Sequence, residues 1–416
     1  MRTIIIGNRA FARHVLSFCL DTGWNVVGTV MPADEMARQQ ANYTSVHDLI
    51  SGVDCELIKT TDINDEETVS RIAALDPDVC LCAGWGQIID EYVLELPERG
   101  FFGFHSSRLP EGRGGAPVNW SLIHGASDIW LSFFHYTPKV DAGAVVAQRS
   151  IPVESRDDVG TIFDTLAVAA RDILDEVRPS LELDSVDATP QDMSAATYRP
   201  RRQPQDGLID WTRSPSAQFD WVRAQTQPYP GAYTFYDGDR LRIWEGECVR
   251  VDNADGRSGE VLSITDKGGI DVVSGDGVFR IERLQLDRAP AQWADVYAVE
   301  SGLTVGSRFG RHHAPPDWTY TGIRGPDGGL SFDTNLEVGE VGGMTLLCHV
   351  SERRDLEVSV TFDNKTLLEE AVTLDDTYEE TVTYVGSTPG TYMIEVTYAV
   401  DNTQTDTRYL KVFVHE

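Results

Sequence analysis

The sequence predicts an α/β protein with a doubly wound, mostly parallel sheet, followed by a small β-barrel and a C-terminal β-sandwich. Three observations predict this class. Strand and helix patterns alternate along residues 1–179, short strands separated by Gly, Asp and Ser fill residues 246–313, and apolar and polar residues alternate strictly after residue 325. A chain of 416 residues also exceeds one typical hydrophobic core.

The first region is expected to be Rossmann-like, with ligands bound beyond the carboxyl ends of its strands. Its closing helix is predicted from Thr161 to about Val177, and Pro179 is expected to stop it. Earlier helices are predicted around Phe11–Cys19 and from about Glu66 to Ala74. The strands are predicted at Thr3–Ile6, Asn25–Val30, Glu56–Lys59, Val79–Ala83, Phe101–His105 and Ile129–His135.

The rest of the chain divides at changes in composition. Residues 180–245 are interpreted as a linker and connecting segment, with strands at Ala232–Tyr236 and Leu241–Trp244. Residues 246–313 predict an OB-like β-barrel. Residues 325–416 predict an independent, immunoglobulin-like β-sandwich, because apolar side chains recur at every second position with turn signals between the runs.

Charge and hydropathy limit where the protein works and what it binds. The net charge is −31, from 66 acidic and 35 basic residues, and this is typical of a halophilic protein kept soluble in a salt-rich cytoplasm. Such acidity makes a nucleic-acid partner unlikely. The sequence holds no apolar run long enough to span a membrane, and the apolar run at its start is too short for a signal peptide, so we expect a cytoplasmic protein without membrane contact.

One histidine and one aspartate are the candidates for chemistry. His105 ends an apolar strand, and Asp141 precedes the tight turn Ala142–Gly143. Taken singly, each is also consistent with a hydrogen-bonded core histidine and a turn-forming aspartate. Together they suit a reaction in which an amine attacks a carbonyl, because protons must move as the adduct forms and collapses. The cysteines have no metal-site spacing, and no metal is expected.

The order of motifs around these two residues resembles a known family, the formyltransferases that use 10-formyltetrahydrofolate. The resemblance runs from Met1 to about Gly310. It rests on Gly84–Ile89, His105–Pro110, Gly112–Pro117, Val140–Gly143, Gln205–Trp211 and Pro228–Ala232.

This resemblance implies a role for each matching residue. His105 would be the general acid and base, oriented by Asp141. The folate co-substrate would be bound at seven positions, and the reaction would need no metal. The positions are Gln87, Ile88, Ile89, Gly115, Pro138, Lys139 and Val140, of which Ile88 and Ile89 are equally consistent with core packing. Arg113 is either close to the ligands or a surface charge.

The chain departs from the family at one position. Family members carry an asparagine two residues before the histidine, where its amide polarises the formyl oxygen, but this chain has Gly103. The replacement donor would be Asn119 or the Gly103 backbone N–H, or else the activity has been lost. Loss of such a donor costs other enzymes about a hundredfold or more.

The amine that accepts the formyl group has two candidate classes. Ala116–Trp120 and Asp141–Gln148 look most similar to enzymes that formylate amino sugars on nucleotide carriers, so a small nucleotide sugar is the expected substrate and a homodimer is possible. The alternative is methionyl-tRNA, because the barrel resembles the C-terminal domain of the tRNA enzymes. A third reading, from Gly103 and the appended sandwich, is a catalytically impaired glycan-binding or interaction protein on this scaffold.

Overall fold

The computed structural model describes residues 1–7, 9–37, 44–249, 254–265, 268–326, 329–401 and 404–415. The chain divides into two compact units. The first unit is Met1–Val118 with Ser127–Ala196, and the second is Asn119–Ala126 with Thr197–Glu416.

The first unit alternates strands and helices as predicted. Its strands are β1 Arg2–Ile6, β2 Asn25–Pro32, β3 Glu56–Thr60, β4 Val79–Cys82, β5 Phe101–His105, β6 Arg113–Gly114, β7 Asp128–His135 and β8 Val145–Pro152. Its helices are α1 Ala10–Asp21, α2 Asp34–Ala37, α3 His47–Ile50, α4 Glu66–Ala74, α5 Glu91–Leu94, α6 Pro117–Ile123, which continues into the second unit, and α7 Val159–Glu182.

A seven-stranded sheet in the order β3-β2-β1-β4-β5-β7-β8 organises this unit. The pairings from β3 to β5 are parallel, whereas β7 runs antiparallel to both β5 and β8. The central strands β4 and β5 are buried along their whole length, which is typical of strands covered on both faces. His105 therefore lies at the carboxyl end of a central strand, as predicted.

Helix α7 corrects the prediction that Pro179 ends a helix near Val177. Asp158 caps the first turn, and the helix continues through Pro179 to Glu182. An internal proline removes one backbone hydrogen bond, but the apolar stripe runs on to Leu181, which is fully buried. Burial of that last turn therefore outweighs the lost hydrogen bond.

The middle part of the chain forms an antiparallel sheet in the order β10-β11-β14-β13-β12, with β15 beside β14. Its strands include β10 and β11, both of which begin before the predicted barrel boundary at residue 246, and the predicted linker also contains a helix. Closure into an OB-like barrel stays a prediction. The elements are β9 Tyr198–Arg199, α8 Pro215–Arg223, β10 Ala232–Tyr236, β11 Asp239–Val249, β12 Val261–Thr265, β13 Gly269–Ser274, β14 Gly277–Leu286, β15 Gln292–Trp293 and α9 Ala294–Ser301, with 3₁₀ turns at Met193–Ala195 in the first unit and at Pro204–Gly207 and Arg311–His313 in the second.

The C-terminal region is a sandwich of two sheets, ordered β16-β18-β21 and β17-β23-β22-β19-β20. Side chains from both sheets share one core, which includes Met344, Val358 and Ile394. The first strand starts before the predicted boundary at residue 325. The strands are β16 Thr319–Arg324, β17 Asn335–Glu337, β18 Val341–Val350, β19 Arg354–Phe362, β20 Lys365–Leu374, β21 Thr377–Val385, β22 Gly390–Val400 and β23 Gln404–His415.

The sandwich is not independent of the middle sheet, which corrects the sequence prediction. Trp318, Tyr320 and Leu347 of the sandwich region form one buried cluster with Tyr233 and Phe235 of β10. Large aromatic side chains contribute much of the energy of a core. The two regions therefore share apolar surface that neither buries alone.

Among the helices described, none is both long and apolar enough to cross a membrane.

Candidate active site

His105 is the centre of the site and is almost fully buried, with 9% of its surface exposed. Its Nε2 atom lies 2.9 Å from the Gly112 carbonyl oxygen, and its Nδ1 atom lies 3.6 Å from Asp141 Oδ2. Both neighbours are hydrogen-bond acceptors. The two contacts engage both ring nitrogens, and the ring is thus held in one orientation.

Asp141 reaches His105 from the loop between β7 and β8, and not from the end of a strand. Because β7 is antiparallel to β5, its last residues lie beside the start of β5, where the Tyr136 N–H donates to the Phe101 carbonyl at 2.7 Å. The loop between β7 and β8 then returns and brings Asp141 to His105.

Two residues of this loop adopt geometries that the sequence signals. Asp141 has a φ of 52°, in the left-handed region that Asp and Asn tolerate. A Cβ on Gly143 would lie 1.8 Å from the His135 carbonyl oxygen, so only glycine fits against the strand. These two positions constrain the course of the loop that carries Asp141.

A chain of hydrogen bonds holds the loop that carries Asp141 in place. The Gly114 N–H donates to Asp141 Oδ2 at 2.8 Å. Gln191 Nε2 donates to the carbonyl oxygens of Asp141 and Gly143 at 2.9 and 2.7 Å. Gln191 Oε1 in turn accepts from Arg113 Nη2 at 2.6 Å.

The position of Arg113 corrects one of the two interpretations that the sequence left open, that of a surface charge, whereas its closeness to the ligands stays a prediction. Its side chain is fully buried, so it is not a surface charge. Its guanidinium donates to Gln191 and to the Met193 sulfur, so it supports the loop that carries Asp141. Gly115, one of the predicted folate contacts, directly follows strand β6 and is half-buried.

The loop that follows His105 is fixed by a second buried network. The Ser132 hydroxyl donates to the Ser107 carbonyl at 2.6 Å, and Gln148 Nε2 donates to Ser132 Oγ and to the Leu109 carbonyl at 2.8 and 3.1 Å. Sequence reasoning missed Ser132, Gln148 and Gln191, because their contacts depend on strand register and on residues far apart in the chain.

The predicted folate residues after β4 differ in their surroundings. The Gln87 amide is engaged with backbone, donating to the Thr61 carbonyl at 2.6 Å and accepting from the Ile63 N–H at 3.2 Å. Ile89 is 5% exposed and packs in the core, whereas Ile88 is 60% exposed. Ile88 is thus the one of these three with a free apolar side chain.

The second group of predicted folate residues begins the loop that carries Asp141. Pro138 and Lys139 are exposed and Val140 is half-buried. The Lys139 carbonyl accepts hydrogen bonds from Thr137 Oγ1 at 3.0 Å and from the Ala142 N–H at 3.2 Å, which close the turn. The turn places these three side chains directly before the aspartate.

Both sequence-based candidates for the missing amide are engaged within the protein. Asn119 is 3% exposed, belongs to the second unit, and donates through Nδ2 to the Ala224 carbonyl at 2.6 Å. Gly103 is paired with Cys82 on one side and Phe134 on the other, within the sheet, where backbone N–H groups serve the ladder.

A third group occupies the space beside Gly103. A Cβ built on Gly103 would lie 2.1 Å from Cε2 and 2.9 Å from Cζ of Tyr136. The Tyr136 ring therefore fills the volume that a side chain at residue 103 would take. This contact could not be predicted from the sequence, because it requires the antiparallel register of β5 and β7.

A cavity of about 750 Å³ lies within the second unit and is lined by both arginines and carboxylates. Arg408 in its wall pairs with Asp206 at 2.8 Å, and Arg311 pairs with Asp376 at 3.0 Å. Its charges are largely matched within the protein, so we do not interpret it as an anion site. Throughout the described ranges, no group of three or more His, Cys, Asp or Glu residues has the arrangement of a metal site.

Comparison with known proteins gives consistent matches over most of the chain. Residues 1–177 match the family described as Formyl transferase, and residues 201–299 match Formyl transferase, C-terminal domain. The methionyl-tRNA formyltransferase of Bacillus licheniformis is 30% identical over 74% of this chain and 98% of its own length. That of Geobacter sulfurreducens is 31% identical over 75% of this chain and 99% of its own length.

Solved structures share the fold at lower identity. An N-formyltransferase from Helicobacter canadensis, in complex with folinic acid and dTDP-3-aminofucose, superposes with a TM-score of 0.51. It is 12% identical, over 67% of this chain and 97% of that protein. The two family matches end before the C-terminal sandwich begins.

Proposed function

The chain belongs to the formyltransferase family, and from this premise we propose that it transfers a formyl group from 10-formyltetrahydrofolate to a primary amine at His105 and Asp141. The observation that carries the proposal is the buried histidine with Nδ1 facing a carboxylate and Nε2 facing an acceptor. Such a ring can accept a proton from one reactant and return it to another.

The chemistry requires one new bond, one broken bond and one proton transfer. The amine nitrogen bonds to the formyl carbon, and the carbonyl electron pair moves onto the formyl oxygen. The neutral ring carries its proton on Nδ1, toward Asp141, so that Nε2 accepts the amine proton when the amine takes the place of the Gly112 carbonyl. Asp141 then stabilises the charged ring. The carbon–nitrogen bond to the folate then breaks, and His105 returns the proton to the folate nitrogen.

The folate would lie against the two loops that the family resemblance indicates. Ile88 offers an exposed apolar side chain for the flat pterin ring, and the Pro138–Val140 turn is fixed by its own hydrogen bonds. Gln87 and Ile89 would support this pocket without touching the folate directly. The Gln87 amide is hydrogen-bonded to backbone, and the Ile89 side chain is buried in the core.

Methionyl-tRNA is the acceptor that the relatives support. Two proteins with that activity in their names align with this chain along nearly their whole length and across both family domains. This supports the tRNA acceptor over the nucleotide sugar that the motifs around Asn119 and Asp141 favoured. A full-length match at about 30% identity carries more weight than two short segments.

A nucleotide-linked amino sugar remains the second candidate because of the charge. The chain carries −31, and arginines of the middle sheet are already paired with carboxylates, as in Arg242–Asp287 at 3.0 Å and Arg280–Asp271 at 2.7 Å. Paired arginines have less attraction left for a phosphate backbone. A small substrate needs far fewer such contacts.

Formyl-transfer assays with the full chain, run with one acceptor at a time, distinguish these acceptors. The protein would be incubated with 10-formyltetrahydrofolate and either methionyl-tRNA or a panel of nucleotide-linked amino sugars, in molar KCl to suit its acidic surface. We expect formylmethionyl-tRNA as the product with methionyl-tRNA. We expect no formylated product with uncharged tRNA or with free methionine. Product only with an amino sugar would support the second candidate. Folate binding without any transfer would contradict both and favour the catalytically impaired alternative.

A further inference from the structure

We propose that Tyr136 is a catalytic residue whose phenolic hydroxyl donates a hydrogen bond to the formyl oxygen, in the role that an asparagine at residue 103 plays in relatives. This inference rests on the proposed function. It answers the question that Gly103 raises, because a formyl oxygen that gains negative charge needs a donor placed beside it.

The register of the sheet puts Tyr136 on the same face as the catalytic histidine. Residues two apart in a strand point to one face. Gly103 and His105 therefore share a face of β5, and Phe134, opposite Gly103, shares that face with Tyr136. The phenol thus lies on the reactive side of the sheet.

The Tyr136 ring occupies the volume that a side chain at residue 103 would need. The site of a Cβ on Gly103 is 2.9 Å from Tyr136 Cζ, the carbon that carries the hydroxyl. Any larger residue at 103 would collide with the ring. Glycine at 103 and tyrosine at 136 therefore form a matched pair.

The phenol is in the donor state. Burial, with the Cys82 thiol and the Asp141 carboxylate nearby, raises the pKa of Tyr136 well above its usual value, so it keeps its proton at neutral pH. Its partner in the unliganded protein is the Cys82 thiol, and burial raises the pKa of that thiol to about 12. A thiol is a weak acceptor, so a developing oxyanion would displace it.

The ring is held in place before any substrate binds. It packs on Phe101 and Phe134 with ring centroids 5.4 and 5.1 Å away. Its backbone N–H is bonded to Phe101. A donor fixed in advance stabilises developing charge without the cost of reorganisation. The formyl carbon–oxygen electron pair then moves toward a hydroxyl that keeps its own proton, and His105 alone transfers the proton.

The direct test is Tyr136→Phe, with Tyr409→Phe as the matched control, since Tyr409 is 52% exposed in the sandwich. We expect kcat to fall on the order of a hundredfold in Tyr136→Phe, at all pH values, while the KM for the folate and the thermal midpoint change little. We expect the control to match the wild type. An unchanged kcat in Tyr136→Phe would overturn the proposal.

A rescue experiment keeps the proposal testable if removal of the hydroxyl perturbs the fold. We expect Gly103→Asn alone to lose stability and activity, because its side chain collides with the Tyr136 ring. Combining it with Tyr136→Ala removes the collision with the ring and restores an amide donor, and the added Cβ, 2.9 Å from the Cys82 carbonyl oxygen, then needs only a small shift of the strand. The double variant should therefore exceed both single variants in kcat. If the double variant is no better than Tyr136→Ala, residue 136 does not substitute for the asparagine.

The two levels of proposal fail in different ways. If the wild type transfers no formyl group to any acceptor, the proposed function fails. If the wild type is active and His105→Ala is not, but Tyr136→Phe is fully active, only the role of Tyr136 is contradicted.

Discussion

At the scale of single residues, the position of Asp141 in the site is set by residues that hold its loop. Asp141 lies in a loop that folds back over the sheet, and the loop is held by Gln191, Arg113 and the close approach of Gly143 to His135. The pairing of His105 with Asp141 was predictable from family motifs. The support by Gln191 was not, because that residue lies 50 positions from Asp141.

Gln191 is therefore expected to act as a positioning residue. Gln191→Leu removes both hydrogen bonds to the loop and the acceptor for Arg113, so the carboxylate loses its fixed position. We expect kcat to fall on the order of tenfold with little change in the KM for the folate. Steady-state rates beside Gln285→Leu, which removes an amide from the second unit, would check this; equal rates in both variants would contradict it.

At the scale of elements, the sequence predicted which segments are strands better than it predicted how they pair. The observed bounds of β5 and α4 agree with those predicted. The antiparallel direction of β7 was not visible, because parallel and antiparallel central strands are both apolar runs. That direction decides that Tyr136 covers Gly103 and that Asp141 returns through a loop. The continuation of α7 past Pro179 was missed because burial of Leu181 is a tertiary effect.

Strand β18 carries a histidine that makes the stability of the sandwich depend on pH. His349 Nδ1 accepts a hydrogen bond from Arg311 at 2.8 Å. Burial, together with Arg311 and Arg324, lowers the pKa of His349 to about 4. The folded state thus holds the neutral ring, and stability is full above the ordinary histidine pKa and is lost as pH falls toward 4.

We expect His349→Asn to reduce this loss, which is at most about 3 kcal/mol for a shift of this size. Urea unfolding of the full chain at neutral pH and at several acidic values would measure it. The exposed His47→Asn is the control, and it should keep the wild-type slope. If the free energy of unfolding of His349→Asn falls with pH as steeply as that of the wild type, the protonation of His349 does not cause the loss of stability.

At the scale of the whole molecule, the C-terminal sandwich contacts the middle sheet through a shared aromatic cluster and the 3₁₀ turn at Pro204–Gly207 through one buried arginine. Arg408, with 5% of its side chain exposed, donates to Asp206 at 2.8 Å and to Asp406 at 2.8 Å. It also donates to the Thr321 carbonyl at 2.6 Å. Two carboxylates thus depend on one guanidinium.

Arg408→Met leaves two half-buried carboxylates without their cation, and removing one partner of a fully buried pair costs at most about 3–5 kcal/mol. We expect a fall of up to that size in the free energy of unfolding of the full chain, measured in urea at constant salt. The exposed pair Arg353–Asp375, at 3.9 Å, supplies the control, and Arg353→Met should change stability by less than about 1 kcal/mol. Equal effects in the two variants would mean that burial does not set the strength of the Arg408 contacts.

The proposed reaction depends on His105 as the group that moves the proton. The most direct measurement is the single-turnover rate of formyl transfer from 10-formyltetrahydrofolate in the wild type and in His105→Ala, with folate affinity measured on the same samples. We expect the rate to fall by about a hundredfold to ten-thousandfold while folate affinity stays within a few-fold. An undiminished rate in His105→Ala would contradict the assignment of this site.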